Sequence, residues 1–401
     1  MQTSTFAATT AQAAPRAGLS ILILAIAGFI ILTTEFLILG LLPTLARDLD
    51  ISIPLAGQLV TLFAFTVMIF GPLLTAKLAH LPRKKLFVFV LLVFVASNAL
   101  AALAPNIWVL ALARFIAALF LPVFWSTASE TAGQLAGPGN AGKAVAQVYM
   151  GISAAFVFGI PLGTLAADTF GWRGSFWLLA VAALLIAVLI QWVMPNMPAA
   201  PKQAQGESQT QILKQPRFLA HVLLSTLAFT AMFIAYTYLA DTLERLAGIP
   251  TQQVGWWLMG FGAVGMLGNH LGGRMVDRNP LAAMVLFLLM LAAGMLAAVP
   301  AAGHTFWLII ALTAWGIAHT ALFPICQVRV MQAGAKAQAL AASMNISAAN
   351  AGIGFGAILG GLGIRHFGLQ SLGVMAALAA AAAIVVALLM MRGKNQVDDK
   401  P

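Results

Sequence analysis

The chain has a single cysteine, Cys326, and only 8% of its 401 residues are charged. One thiol closes no internal disulfide and has no second sulfur to share a metal with, so Cys326 reads as a packing residue. The six histidines, His80, His221, His270, His304, His319 and His366, are scattered without an i, i+4 pair, so no metal is implied. No GxxxxGK[ST] loop occurs, which excludes work driven by ATP bound to this chain, and no other cofactor is called for. Catalytic His, Asp or Ser residues do not cluster near either membrane face, which argues against an enzyme. So few charges cannot solvate a globular surface. With 61% hydrophobic residues and a mean hydropathy of +0.96, the chain needs lipid as its solvent.

Long apolar runs fill the sequence. Twelve are each long enough to cross a hydrocarbon core: 18–42, 55–79, 85–104, 107–130, 144–168, 174–194, 218–243, 252–276, 281–301, 305–328, 337–364 and 369–391. Such segments must satisfy their own backbone hydrogen bonds, and they lack the alternation of barrel strands, so an all-α membrane protein is predicted. The first fifteen residues are polar and rich in Ala and Thr, with no cleavage site after a short apolar core, so the first span is read as retained.

Charge placement sets orientation. With a cytoplasmic N-terminus, all Lys and Arg fall on the cytoplasmic side except Arg47, Arg173, Arg245, Arg365 and the intramembrane Arg114. Both termini are therefore expected inside. The net charge of +10 is then topological, facing lipid headgroups, and nucleic acid is not a partner. Residues 196–216 (NMPAAPKQAQGESQTQILKQP) read as a cytoplasmic linker between a half at 1–195 and a half at 217–401. The halves repeat faintly: Arg47 matches Arg245, Gly57 matches Gly255, and Pro82 matches Pro280. Two related halves around a midplane site describe a transporter.

Several stretches carry a family resemblance that covers essentially the whole chain. Span 1 reads TTEFLILGLLP (33–43), the loop after span 2 reads TAKLAHLPRKK (75–85), span 4 holds LALARFIAAL around Arg114, and span 5 holds GIPLGT (159–164) followed by FGWR. Together they resemble the major facilitator superfamily, in its twelve-span drug:proton antiporter branch, and more narrowly its sugar or arabinose efflux permease-like group. The loop motif G-x-L-a-D-r-x-G-R-k keeps Arg83 and Lys84 but has Thr75, Ala79 and Pro82 where the family has Gly, Asp and Gly. The second-half copy, GRMVDRNP, keeps Gly273, Asp277 and Arg278, which leaves Asp277 to hold a closed arrangement by a charge interaction at a helix end. In the family the Arg114 motif is implicated in proton handling, and the Gly159, Pro161, Gly163 motif accompanies export by antiport. From the residues alone, that glycine spacing permits close helix packing and a bend.

Intramembrane polar groups supply the functional candidates. Glu35 lies deep in span 1, where an ionised carboxylate costs several kcal/mol unless hydrated, paired or protonated. A carboxylate that alternates between the two states suits proton coupling; a structural carboxylate bonded to Thr33 or Thr34 is the plainer alternative. Arg114 must turn into the bundle and pair with a carboxylate or with carbonyls. Glu130 and Asp241 sit near predicted span ends, where headgroup water accounts for them. Tyr236 and Tyr238, beside Asp241, either line a cavity mouth or belong to an interfacial belt. Phe124, Trp125, His319, Asn345 and Asn350 are substrate-cavity candidates or helix-packing residues.

The expected activity is proton-coupled efflux of a small neutral or amphipathic organic solute, such as a drug, sugar or nucleoside-like molecule. The expected place is the bacterial inner membrane, and no second chain is needed to form the pathway. Proton-driven uptake is the alternative; a membrane enzyme or scaffold is the reading from another class.

Overall fold

The computed structural model describes residues 13–78, 80–137, 140–197 and 211–398, which contain helices and no strand. The core of the expected linker, 198–210, and Ala79 of the loop motif lie outside the described residues. Among the described residues ten helices are long and apolar enough to cross a membrane. One of these, Lys143–Val193, is 51 residues long and makes two crossings. Gly171 divides it with φ 70° and ψ 164°, a backbone that side chains other than glycine rarely adopt. The hydroxyl of Ser175 donates to the carbonyl of Gly163 at 2.7 Å, which a continuous helix would hold more than three turns away. Thr251–Val276, 26 residues long, is a further crossing whose apolar character is diluted by Gln252, Gln253, Asn269, His270 and several glycines.

The protein is thus a twelve-span bundle. Its spans are Ala13–Asp48, Ile53–Leu78, Arg83–Ala102, Ile107–Ala136, the two parts of 141–193, Pro216–Tyr236 continued by Leu239–Arg245, Thr251–Val276, Pro280–Ala301, Thr305–Ala333, Gln338–Phe367 and Leu372–Asp398. Local chemistry starts several of them. Asn106 accepts the amides of Trp108 and Val109 at 3.1 Å to begin span 4, and Asn279 accepts the amide of Ala282 ahead of span 9, with Pro280 in the first turn.

Two six-span halves repeat the same turn. Gly171 between spans 5 and 6 has its counterpart in Gly368 between spans 11 and 12, with φ 82° and ψ 168°. Span 1 is the most enclosed element, 83% buried in its most apolar stretch, whereas the last span is 22% buried and faces outward. The halves meet along span 2 against span 11 and span 5 against span 8, a pairing related by the internal repeat. Glycines set the approach. A side chain at Gly262 would come within 2.5 Å of the carbonyl oxygen of Phe156, and one at Gly255 within 3.0 Å of that of Pro161.

Candidate functional site

Glu35 and Arg114 come together at the centre of the first half. Arg114 is 2% exposed and spends its guanidinium on main-chain carbonyls, donating Nη1–H to Thr34 and Nη2–H to Glu35 (2.5 Å), with the Phe63 ring 4.3 Å away. Of the two partners expected for it, it takes the carbonyls. Asn98 donates to the hydroxyl of Thr34 at 3.2 Å, tying span 3 to the same turn. Thr33 and Thr34 donate their own hydroxyls to Phe29 and Ile30 of span 1, and their hydroxyls do not bond Glu35. The carboxylate of Glu35, 8% exposed, has no hydrogen-bond partner among the described residues, while the charge of Arg114 acts on it.

Beside Glu35 the two halves touch through aromatic rings. Phe36 lies 5.1 Å from Phe156 of span 5 and 6.0 Å from Phe233 of span 7; Phe156 lies 5.7 Å from Phe323 of span 10. Tyr236 and His319 stand 4.3 Å apart behind this seam. A π turn, Ala155–Gly159, ends two residues before Pro161, so span 5 is irregular where it passes Phe36. Gly159 and Gly163 bring it against Thr33 and Leu37 of span 1.

From the middle of the spans to the end remote from the chain termini, the halves are joined. Thr61 donates to the carbonyl of Gly354 at 3.3 Å, Tyr238 covers Gly57, and Arg47 of span 1 pairs with Glu244 of span 7 at 2.7 Å. Among the described residues this is the one ion pair that crosses between halves; Arg83–Glu130 and Arg245–Asp241 stay within theirs. A cavity of about 280 Å³ lies there, lined by Arg47, Asp241, Glu244 and Arg245 among others.

The major facilitator superfamily model matches residues 24–247 and 222–401. The chain belongs to the major facilitator superfamily. It is 34% identical to the inner membrane transport protein YdhP of Escherichia coli (strain K12) over 361 residues, 90% of this chain and 92% of that one. It is 30% identical to the MFS-type transporter YtbD of Bacillus subtilis (strain 168), over 87% and 89% of the two chains. A bacterial homologue of the human lysosomal transporter Spinster, in an inward-facing and unoccupied conformation, has the same fold, with a TM-score of 0.80 at 15% identity over 94% and 97% of the chains. The nucleoside transporter NupG, in mutant form, follows at 0.73 and 16% identity over 94% and 99%. The protein is a multi-span membrane transporter.

Within this superfamily frame the sequence candidates divide. Glu35, Arg114, Tyr236 and His319 gather around the central seam. Asp241 departs from expectation: it is fully buried, not bathed by headgroup water, because the ends of spans 1 and 7 close over it, and Arg245 reaches it at 3.4 Å. Glu130 is partly exposed as expected but also holds the buried Arg83 at 2.6 Å. Tyr238 donates to the carbonyl of Ala357 at 2.8 Å, a clasp between spans 7 and 11. Phe124 and Trp125 pack inside the first half against Phe87 and Tyr149. Asn345 donates to Gln327 of span 10 at 2.7 Å and so knits two helices, whereas Asn350 donates to the carbonyl of Ile346 one turn back on its own span at 3.0 Å. Lys84 is half-buried and Gly273 packs against nothing nearby, while Asp277 and Arg278 are exposed and form no ion pair among the described residues.

Sequence reasoning missed Phe36, Phe156, Phe233, Phe261 and Phe323, which nothing distinguishes locally from the other phenylalanines of apolar spans. It also missed Arg329. One residue beyond a predicted span end, this arginine was counted with the loops, yet it is 1% exposed, bonded to His221 at 2.9 Å and Ser225 at 2.7 Å. His221 and Ser225 lie one helical turn apart on span 7, a pairing that the sequence itself carried.

Proposed function

We propose that this chain exports a small neutral or amphipathic organic solute across the bacterial inner membrane in exchange for protons, by alternating access with both termini cytoplasmic. The observation that carries the reading is Glu35: a carboxylate enclosed in the most buried span, beside the Arg114 charge, without a hydrogen-bond partner among the described residues, next to the aromatic seam between halves. A buried carboxylate left so free gains most by exchanging a proton when its surroundings change. The few fixed charges around the seam favour an uncharged or amphipathic solute. Export, as against uptake, is supported by the resemblance of the Gly159–Gly163 motif.

The test uses proteoliposomes with an internal pH dye, comparing wild type with Glu35→Gln while sugars, nucleosides and antibiotics are added. Solute-dependent proton movement in the wild type, lost in the variant, is expected. Equal proton movement in both proteins removes Glu35 from the coupling, and transport without proton movement removes the antiport.

A further inference from the structure

The central site has a second polar feature that proton coupling through Glu35 does not use. His319 is 1% exposed in the middle of span 10, and neither ring nitrogen has a hydrogen-bond partner among the described residues. One turn earlier on the same helix, Trp315 is 2% exposed and its indole N–H is equally unpaired. Most other buried polar side chains make at least one bond: the indole N–H of Trp172 reaches Asp48 at 2.9 Å, and Asn98, Asn345 and Asn350 each donate one, while the hydroxyl of Thr131 in the first half has no partner among the described residues. Burying an imidazole with no partner costs free energy that an apolar side chain of similar shape would not.

Four rings surround the imidazole: Phe233 at 5.5 Å, Tyr236 at 4.3 Å, Phe261 at 5.9 Å and Phe323 at 5.9 Å. Phe261 also meets Trp315 at 5.5 Å, edge to face, so one ring touches both unpaired groups. Among the described residues no ion pair involves His319. Phe233 and Phe323 connect the box to Phe36 and Phe156 of the first half, which places it one ring behind the seam beside Glu35. Tyr236, the ring nearest the imidazole, ends the helical stretch Pro216–Tyr236, and span 7 resumes only at Leu239. A break in a span is where a side chain swings at least backbone cost, and interrupted spans frame solute sites in transporters.

We propose that Trp315 and His319 form the solute-recognition edge of the transport site, and that the solute presents there an uncharged, flat heteroaromatic ring. The edge supplies the indole donor and, from the neutral imidazole, one donor and one acceptor. A ring whose rim carries both acceptors and a donor satisfies all three, and its faces stack on Phe233, Phe261 and Phe323 as Tyr236 gives way. A saturated sugar offers the rim without the aromatic face; a plain hydrocarbon offers the face without the rim.

This inference rests on the transport reading but not on proton coupling, and it is tested by the melting of purified protein in detergent. Empty His319→Phe and Trp315→Phe are expected to melt about 1–3 °C above wild type, because each removes an unpaired buried group and keeps a ring. Millimolar uridine and adenosine are expected to raise the wild-type melting temperature, and arabinose and toluene to leave it unchanged. The nucleoside shift is lost in His319→Phe and retained in part in His319→Gln, which keeps a donor and an acceptor. Lower melting of both ring-retaining variants, no shift with either nucleoside in the wild type, or an equal shift with arabinose overturns the proposal. Glu35→Gln melted in parallel separates the two readings: a nucleoside shift that survives while proton flux fails everywhere sinks the antiport and leaves this recognition edge standing.

Discussion

An arginine inside an apolar bundle is tolerated only where its donors are taken up, and Arg114 shows the arrangement at its simplest. Two of its nitrogens bind successive carbonyls of span 1, at Thr34 and Glu35, so the side chain fixes the backbone that carries the proposed proton carrier. A lysine has three donors on a single nitrogen and lacks the rigid planar fork that places two nitrogens on successive carbonyls. Arg114→Lys is therefore expected to reach the membrane folded but to transport at least about tenfold more slowly, since charge-assisted bonds of this kind contribute about 1.5–3 kcal/mol each. Transport at the wild-type rate by Arg114→Lys in proteoliposomes would show that only the charge matters. Tyr238 makes a more modest residue-scale case: Tyr238→Phe removes one buried bond to Ala357 and should cost about 1 kcal/mol of stability, read in thermal unfolding.

At the scale of elements, the spans that carry the site are held by close backbone approach where the bulk of the bundle is held by large side chains. Span 8 passes span 5 with Gly262 over the Phe156 carbonyl, just where span 5 takes its π turn. Backbone cannot move aside as a side-chain tip does, so Gly262→Val is expected to push spans 5 and 8 apart, lower the melting temperature and stop transport. Gly273 faces open space, and Gly273→Ala should change neither. If Gly262→Val melts and transports as the wild type does, the approach of the two spans is not what shapes the site. The same reasoning makes Gly171 and Gly368 special for conformation, not space: both turns need the positive φ that lets one span fold back on the next.

At the scale of the molecule, the bundle is closed at the end remote from its termini, and Arg47–Glu244 is the charge pair that spans the closure. Opening that end must separate the two groups. Arg47→Ala and Glu244→Gln are each expected to raise the population open there, seen as faster maleimide labelling of a cysteine placed at Thr61 in a Cys326→Ser background. Labelling rates equal to the parent in both variants would mean that this ion pair does not hold the end shut. The second acidic group of the cavity, Asp241, is tied to Arg245 of its own span and so stays with the second half when the halves part.

Much of this was legible in the chain. Twelve apolar runs, the basic residues gathered on alternate loops and the paired Arg47 and Arg245 are local or periodic signals, and they were enough for the bundle and its two halves because lipid permits few alternatives. Glu35 and Arg114 stood out for the same reason: a charge in an apolar run is conspicuous wherever its partner lies. Which rings line the seam, that Asp241 is buried at a span end, and that His319 and Trp315 share an unpaired polar edge were decided only when helices distant in sequence packed together. A phenylalanine in an apolar span has the same local pattern whether it faces lipid or the opposite half, and only the tertiary contact tells the two apart.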